Sequence, residues 1–202
     1  MKKPTIEKIH EVMRKNNMTV FTKPFDVTLG GIRTKDNVAN TFNDWLFASY
    51  WNDKKELISV IVAGTTDAGL TARLKPTNPK GVVIIQHGIQ HRGVYRLENP
   101  KVVPSERGHK GKQACRQIRP MKYWRDNDRD NILETGLNEE FTLSFTNGHD
   151  MGTKGFQVNN WSEGCWGSTE KNMKLLYDMG WLQFNNGLGR IFSFAMLHED
   201  MF

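Results

Sequence analysis

Short apolar runs rich in β-branched and aromatic residues follow one another along most of this chain, and they constrain its fold more than any other feature. Turn-forming clusters, such as those at 51–54 and 76–79, separate the runs. Runs of this length bounded by turn residues are typical of β-strands. The run 191–197 is apolar on both faces, which predicts a buried final strand. The remaining predicted strands lie at 18–21, 27–32, 45–51, 57–63, 82–85, 93–97, 121–125 and 141–146.

Two segments have helical periodicity instead. Apolar residues recur every three or four positions within 5–16, which predicts an amphipathic helix inside an N-terminal segment 1–17. A second helix is predicted to begin near Ser168, which can cap its first turn, and to end at Gly180. Its apolar stripe indicates core packing rather than a ligand site. The expected fold class is therefore mainly β (α+β).

Residues 98–120 differ from both patterns, because they are polar, basic and poor in periodic apolar positions. Long segments of this kind inside a compact domain are commonly functional loops. We expect 98–120 to form a loop or lid over one end of the sheet, at the active site.

The length of 202 residues suits a single domain, 1–202, with its own core. No stretch approaches the ~20 apolar residues of a membrane helix, so membrane insertion is not expected. The basic N-terminus lacks the apolar run of a secretory signal, which predicts synthesis in the cytoplasm. A substrate outside the membrane would then require a separate delivery route.

The formal net charge of +6 and the pI near 9.3 favour association with polyanions, including acidic cell-wall polymers. The basic residues are scattered, and no nucleic-acid-binding motif is present, so no nucleic-acid partner is expected. Two cysteines, Cys115 and Cys165, do not make a disulfide framework.

The most specific part of the sequence is the segment from His149 to Cys165. His149 lies at the end of a predicted strand, and Cys165 follows Gly164 shortly before the second helix. A neighbouring imidazole can take the thiol proton and produce a nucleophilic thiolate. Amides around Gly164 and Cys165 could stabilise an oxyanion. Two other interpretations stay open from residue chemistry alone: a buried, inert cysteine and a structural histidine.

This segment resembles the active-site motif of the L,D-transpeptidase (YkuD-like) family, in which a histidine is followed by a dozen or more residues and then Ser/Thr-His-Gly-Cys. Twelve residues separate His149 from Ser162 here. The branch of this family found in phages, prophages and some bacteria also has a helix-led N-terminus and four similar sequence blocks. The corresponding blocks here are 30–33 (Gly-Gly-Ile-Arg), 65–67 (Thr-Thr-Asp), 125–130 (Arg-Asp-Asn-Asp-Arg-Asp) and 161–165 (Trp-Ser-Glu-Gly-Cys).

The resemblance implies a single YkuD-like β-sandwich or barrel domain with an N-terminal helix and a helix after the catalytic cysteine. It makes Cys165 the nucleophile and His149 its general base. Ser162 would support the loop, and Gly164 with the Cys165 amide would shape the oxyanion site. The implied reaction breaks a peptide bond of a peptidoglycan stem peptide, forms a thioester, and passes the acyl group to an amine or to water.

Two positions depart from the family pattern. Glu163 replaces the histidine before the glycine, and its negative charge should raise the pKa of the Cys165 thiol. Trp166 and Gly167 follow the cysteine in place of the usual apolar-Arg or apolar-Asn pair. An alternative function is therefore a catalytically impaired protein with the same fold, associated with a virion or bound to the cell wall. The expected partners are stem peptides and other phage virion proteins, and the expected site of action is the cell wall.

No metal or other cofactor is expected. Residues 126–130 alternate carboxylates like a calcium loop, but Asn131 and Leu137 break the EF-hand requirements at its sixth and twelfth positions, which favours a capped turn. His87 and His91 lack metal-ligand spacing and are interpreted as substrate-facing. The predicted substrate-binding residues are His87, His91, Arg92, Tyr95, Arg96 and Trp161, in which Arg92 and Arg96 would meet substrate carboxylates.

Overall fold

The structure is a computed structural model that describes residues 1–38, 40–152, 157–159 and 161–202. Its strands are β1 (Thr28–Arg33), β2 (Asp44–Trp51), β3 (Leu57–Gly64), β4 (Val82–Ile85), β5 (Ile89–Glu98), β6 (Ala114–Gln117), β7 (Met121–Asp126), β8 (Glu140–Thr142), β9 (Gly148–Asp150), β10 (Trp166–Ser168) and β11 (Ile191–His198). Its helices are α1 (Ile6–Lys15), α2 (Leu70–Leu74) and α3 (Glu170–Asn185), and a 3₁₀ turn follows at Glu199–Met201. The prediction of a mainly β fold with an N-terminal helix and a helix after Cys165 is confirmed.

Eight strands form one sheet in the order β10-β9-β6-β5-β11-β1-β2-β3, and β4-β7-β8 form a second sheet. The two edges of the large sheet meet beyond the end of β3. There the Thr65 amide donates to the Gly167 carbonyl at 2.8 Å, and the Gly167 amide donates to the Thr65 carbonyl at 2.9 Å. The large sheet is therefore a nearly closed barrel, and we call this junction of β3 and β10 the seam.

Apolar side chains cover both faces of the large sheet. On one face, α1 packs against β1, β2 and β11 through residues such as Ile9, Ile32 and Phe47. On the other face, the larger core cluster joins the sheet to α3 and to the second sheet, and Trp166 and Phe194 stack at its centre. The fold thus buries the helix stripes that the periodicity had assigned to core packing.

The second helix differs from its predicted bounds at both ends. Its N-cap is Thr169, whose side chain accepts from the Asn172 amide, while Ser168 belongs to β10. The helix continues past Gly180 to Asn185. A Cβ at Gly180 would lie 2.9 Å from Leu97 Cδ2 and 3.2 Å from the Phe192 ring. The glycine therefore permits close packing of α3 on the sheet, and it does not terminate the helix.

Residues 18–21 do not form the predicted strand. Met18 and Val20 pack beneath α1, which accounts for the alternating apolar pattern. The Gln90 side-chain amide accepts from the Thr19 amide and donates to the Thr19 carbonyl, both at 2.9 Å. A side chain thus satisfies the backbone groups that a neighbouring strand would otherwise bond.

The segment 98–120 is not a continuous loop, because its last part contains β6. The connection from Asn99 to Gln113 is what lies outside the strands, and we call it the 99–113 loop. The short strand β10 between Cys165 and α3 was not predicted either. The connection from His149 to Ser162 includes residues 153–156 and 160, which lie outside the described residues.

A buried ion pair accounts for two of the sequence blocks that carry the family resemblance. Arg33 Nε donates to Asp67 Oδ1 at 2.9 Å, and both side chains are almost fully buried. The same guanidinium donates to the carbonyls of Ile85 and Thr66. Asp44 lies beside this pair and accepts from the Thr34 and Thr66 amides. Burial, with the neighbouring Asp67 charge, raises the pKa of Asp44 to about 7.

In the block 125–130, Arg125 and Asp126 end β7, and the residues after them form the capped turn that the broken calcium pattern predicted. The Asp130 amide donates to Asp128 Oδ1, and the Ile132 amide donates to Asp130 Oδ1. Asp126 is instead buried and forms an ion pair with Arg73 at 2.7 Å. Among the described residues, no group of three or more His, Cys, Asp or Glu side chains could hold a metal ion.

No helix in the described part of the chain is both long and apolar enough to cross a membrane.

Candidate active site

His149 lies on β9, and Cys165 directly precedes β10, the neighbouring parallel strand at the seam. Residues 166–168 of β10 pair with 148–150 of β9, and Gly167 lies opposite His149. Cys165 is two residues before Gly167, so it lies on the same face of the sheet as His149, one diagonal step away. Met151 and Val158 pack against Cys165 on this face, whereas Trp166 points into the main core. The fold thus brings together the two residues that the sequence singled out.

The Cys165 thiol is buried and bonded to the backbone. Its Sγ accepts from the Asn147 amide at 3.3 Å and donates to the Phe145 carbonyl at 3.8 Å. No hydrogen bond joins it to His149 in this conformation. Burial, with a smaller contribution from the Glu163 charge, raises the pKa of Cys165 to about 11 against opposing effects of the Asn147 amide and Lys110. The thiol is consequently neutral at pH 7 in this arrangement.

His149 is held in one tautomer. Its Nδ1 lies 2.7 Å from the Asp150 carbonyl, which can only accept a hydrogen bond, so Nδ1 carries the proton. Nε2 is then the basic nitrogen, and it is buried without a partner. Burial lowers the pKa of His149, although the Asp150 carbonyl and carboxylate oppose that shift. A neutral imidazole with a free Nε2 is the form that a general base requires.

His109 is a third member of the site, and sequence reasoning did not select it. Its ring stacks on His149 with centroids 3.9 Å apart and an interplanar angle of 4°. Its Nδ1 lies 3.1 Å from Asn147 Nδ2, and Asn147 also bonds Cys165 through its backbone. The only sequence signal was a histidine in the polar segment that was expected to lie over the active site.

The turn before Cys165 is held by Ser162. Its Oγ donates to the Cys165 carbonyl at 2.8 Å and accepts from the Gly164 amide at 3.0 Å. Ser162 therefore bridges the two ends of this turn, and the Gly164 amide is engaged by its hydroxyl. Gly164 has φ of +131°, and a Cβ there would collide with the backbone of Val83. The backbone at Gly164 therefore packs closely against β4.

Glu163 points away from the thiol. Its carboxylate accepts a hydrogen bond from Thr77 Oγ1 and is exposed at the surface. Its effect on the pKa of Cys165 has the predicted direction but is the smallest of the contributions to it, and burial is the largest.

Glu98 holds the 99–113 loop against the barrel. Its buried carboxylate accepts from the amides of Gly108 at 2.9 Å and Arg107 at 3.1 Å, next to His109. Arg96 donates to the other oxygen of the same carboxylate. The loop therefore covers His149 through the His109 ring, and Cys165 and His149 are 9% and 2% exposed.

Four of the six predicted substrate-binding residues make contacts elsewhere. Tyr95 is fully buried against Trp166 and Phe194. His91 is buried beside the Gln86 carbonyl, at 3.2 Å. His87 stacks on His198, and Arg92 donates to Thr19 Oγ1. Core packing or local bonding therefore engages these four side chains. Tyr95 lies close enough to Cys165 for the thiolate charge to raise the tyrosine pKa, but its ring is buried in the core.

Arg96 and Trp161 lie nearer to the candidate site. Arg96 lines a cavity of about 350 Å³ together with Arg107, Arg116 and Phe145, the residue whose carbonyl bonds the thiol. Trp161 is 39% exposed and packs over Gly152, near the end of β9. A larger cavity of about 730 Å³ lies on the Asp150 side, with Lys101, Lys112, Lys171 and Lys174 in its wall.

Comparison with known proteins adds no relative. No protein-family model matches this chain, and neither a curated protein nor a solved structure is similar to it.

Proposed function

We propose that this protein is a cysteine acyltransferase or peptidase of the L,D-transpeptidase type that acts on peptidoglycan stem peptides. The observation that carries the proposal is the placement of His149 on β9 and of Cys165 directly before β10, the strand that pairs with β9, together with a His149 Nε2 that has no partner among the described residues. A thiol and an oriented imidazole on one face of a rigid sheet supply the nucleophile and base of acyl transfer.

In the proposed reaction, His149 Nε2 takes the Cys165 proton as sulfur adds to the carbonyl carbon of the scissile peptide bond. The tetrahedral intermediate expels the amine, which receives that proton from His149, and a thioester remains on Cys165. A second amine or water then attacks the thioester and releases the thiol. Because the thiol is buried and His109 of the 99–113 loop covers His149, the site must open before substrate enters.

The charges around the site support an acidic peptide substrate. Arg107 and Arg116 have no ion-pair partner among the described residues, and they lie with Arg96 in the cavity beside Phe145. Guanidinium groups bind carboxylates in a bidentate manner, and stem peptides carry free carboxylates. A phage or prophage origin, action at the cell wall and carriage in a virion belong to the same proposal, and they rest on the sequence resemblance.

The buried, neutral thiol favours a second candidate, a catalytically impaired virion-associated or wall-binding protein. Incubation with purified muropeptides followed by intact-protein mass spectrometry separates the two. The enzyme should acquire a thioester adduct and alter the stems, and Cys165→Ala and His149→Gln should do neither. If the wild-type protein forms no adduct and behaves like Cys165→Ala while still binding purified cell walls, the impaired form is the correct one.

A further inference from the structure

The stacked pair of His109 and His149 has a feature that the proposed mechanism uses only in part. The Nε2 atoms of both rings are buried and have no hydrogen-bond partner among the described residues. Buried polar atoms in folded proteins are nearly always hydrogen-bonded, and an exception calls for an explanation such as a water or a catalytic role. Two unpartnered nitrogens on two rings stacked at 3.9 Å can both bind a polar group that enters the site.

Neighbouring hydrogen bonds give the two rings opposite roles. Asn147 Oδ1 accepts from the Gln117 amide at 2.9 Å, so Asn147 Nδ2 is the atom that donates to His109 Nδ1. His109 consequently carries its proton on Nε2. His149 has the reverse arrangement, with its proton on Nδ1 and a bare Nε2. The pair offers one hydrogen-bond donor and one acceptor.

His109 stays neutral at physiological pH, since burial and the nearby His149 and Lys110 lower its pKa to about 4. A neutral imidazole keeps a single N–H at Nε2 and remains a donor. It also adds no positive charge that would oppose protonation of the neighbouring His149.

The turn at Cys165 lacks one of the expected donors for a tetrahedral intermediate. The Gly164 amide donates to Ser162 Oγ, and the Asn147 amide donates to the thiol itself. An oxyanion that forms on the carbonyl attacked by Cys165 therefore needs another donor, and His109 reaches the site through Asn147 and His149.

We propose that His109 is a catalytic residue that donates from Nε2 to the oxyanion of the tetrahedral intermediate, an inference that rests on the proposed acyl-transfer function. As sulfur forms its bond to the carbonyl carbon, the π-electron pair moves to oxygen and His109 Nε2–H binds that oxygen. The thiol proton is on His149. When the electron pair on oxygen reforms the carbonyl, the leaving group departs with the proton from His149. The Nε2 proton of His109 stays on His109 throughout.

The test compares acylation with alkylation of Cys165, because only acylation forms an oxyanion. The variant His109→Phe retains a stacked ring and removes the donor. Acylation by p-nitrophenyl acetate is followed by the nitrophenolate burst, and alkylation by iodoacetamide is followed by intact mass. Removal of one oxyanion donor commonly lowers the rate about 10²–10³-fold. We expect a loss of that size in acylation and an alkylation rate within about threefold of wild type.

Val102→Ser, at an exposed position of the same loop, is the matched control and should change neither rate. Equal acylation by wild type and His109→Phe overturns the donor role. An equal loss of acylation and alkylation also overturns it, because His109 then only positions His149. If acylation by the ester depends on His109 but muropeptides do not react, the inference is upheld and the stem-peptide substrate is refuted. A wild-type protein that no ester acylates refutes both.

Discussion

At the scale of single residues, burial decides the state of the candidate nucleophile. Cys165 is buried, and its thiol is bonded to two backbone groups. The cost of removing a thiolate from water outweighs the attraction of Lys110, and so the pKa of Cys165 rises to about 11. The sequence predicted that the Glu163 charge would raise the pKa of this thiol, but burial is the largest cause of the rise. The thiol is therefore neutral in the closed conformation.

Alkylation of Cys165 by iodoacetamide should therefore increase about tenfold per pH unit from pH 7 to 10, since the thiolate is the reactive form. The half-maximal rate is expected near pH 11. Cys115 should contribute little, because burial raises its pKa to about 12. Quenched labelling with mass spectrometry measures the profile, and Cys165→Ala is the blank. A midpoint below about 8.5 would show that the thiol is activated in the resting protein.

Ser162 matters to the turn through two hydrogen bonds rather than through chemistry on substrate. Ser162→Ala leaves the Gly164 amide and the Cys165 carbonyl without their partner. An unsatisfied buried group costs about 1–3 kcal/mol, and we expect the free energy of unfolding to fall by that amount. Urea unfolding measures it, and Ser59→Ala on the exposed side of β3 is the control. Equal losses in the two variants would contradict the structural role.

At the scale of elements, a buried charge network joins strands that are distant in sequence. Arg33 at the end of β1 binds Asp67 beyond β3 and the last carbonyl of β4. It therefore links the barrel to the second sheet, close to the Thr65 bridge at the seam. The sequence blocks at 30–33 and 65–67 are two sides of one contact.

Arg33→Met should be strongly destabilising, because it leaves Asp67 and the neighbouring Asp44 buried without a compensating cation. Removal of one partner from a buried ion pair costs about 3–5 kcal/mol. Urea unfolding at pH 7 measures the loss. The control is Lys35→Met, two residues from Arg33, which removes an exposed ion pair with Asp200. It should not measurably change the free energy of unfolding. A loss below about 1 kcal/mol for Arg33→Met would show that the network relaxes without the guanidinium.

At the scale of the whole molecule, the buried Glu98 carboxylate joins the barrel to the 99–113 loop. Burial alone would raise the pKa of Glu98, but Arg96 and the amides of Gly108 and Arg107 outweigh it and lower the pKa. The charged form is bound more tightly in the closed protein than in the open one. This contribution to closure is fully present above the ordinary glutamate pKa and is lost as the pH falls below it.

Glu98→Gln should consequently open the 99–113 loop more often, because an amide NH₂ would then face N–H donors. We expect alkylation of Cys165 at pH 8 to become several-fold faster, about 3- to 10-fold, as expected for a shift in a local opening equilibrium. The exposed Glu139→Gln is the matched control. An unchanged rate would mean that the loop is not the barrier to the thiol.

Several features could be predicted because they are local. The periodicity of α1 and most strands and the turn after Asp126 followed from residue types and spacing. Gly180 and 18–21 were interpreted wrongly for a shared reason. A glycine in close helix packing and an apolar segment bonded by a side chain look, in sequence, like a helix end and a strand.

The sequence by itself determined the strand-rich architecture, the helix faces and the two residues at the centre of the candidate site. The tertiary structure alone decided the protonation of Cys165, the tautomer of His149 and the arrival of His109, 40 residues upstream, on its ring. Burial and hydrogen-bond partners depend on segments that meet only when the barrel nearly closes. The sequence pattern therefore predicts which groups are reactive, and the packing around them determines the protonation state and tautomer of each group.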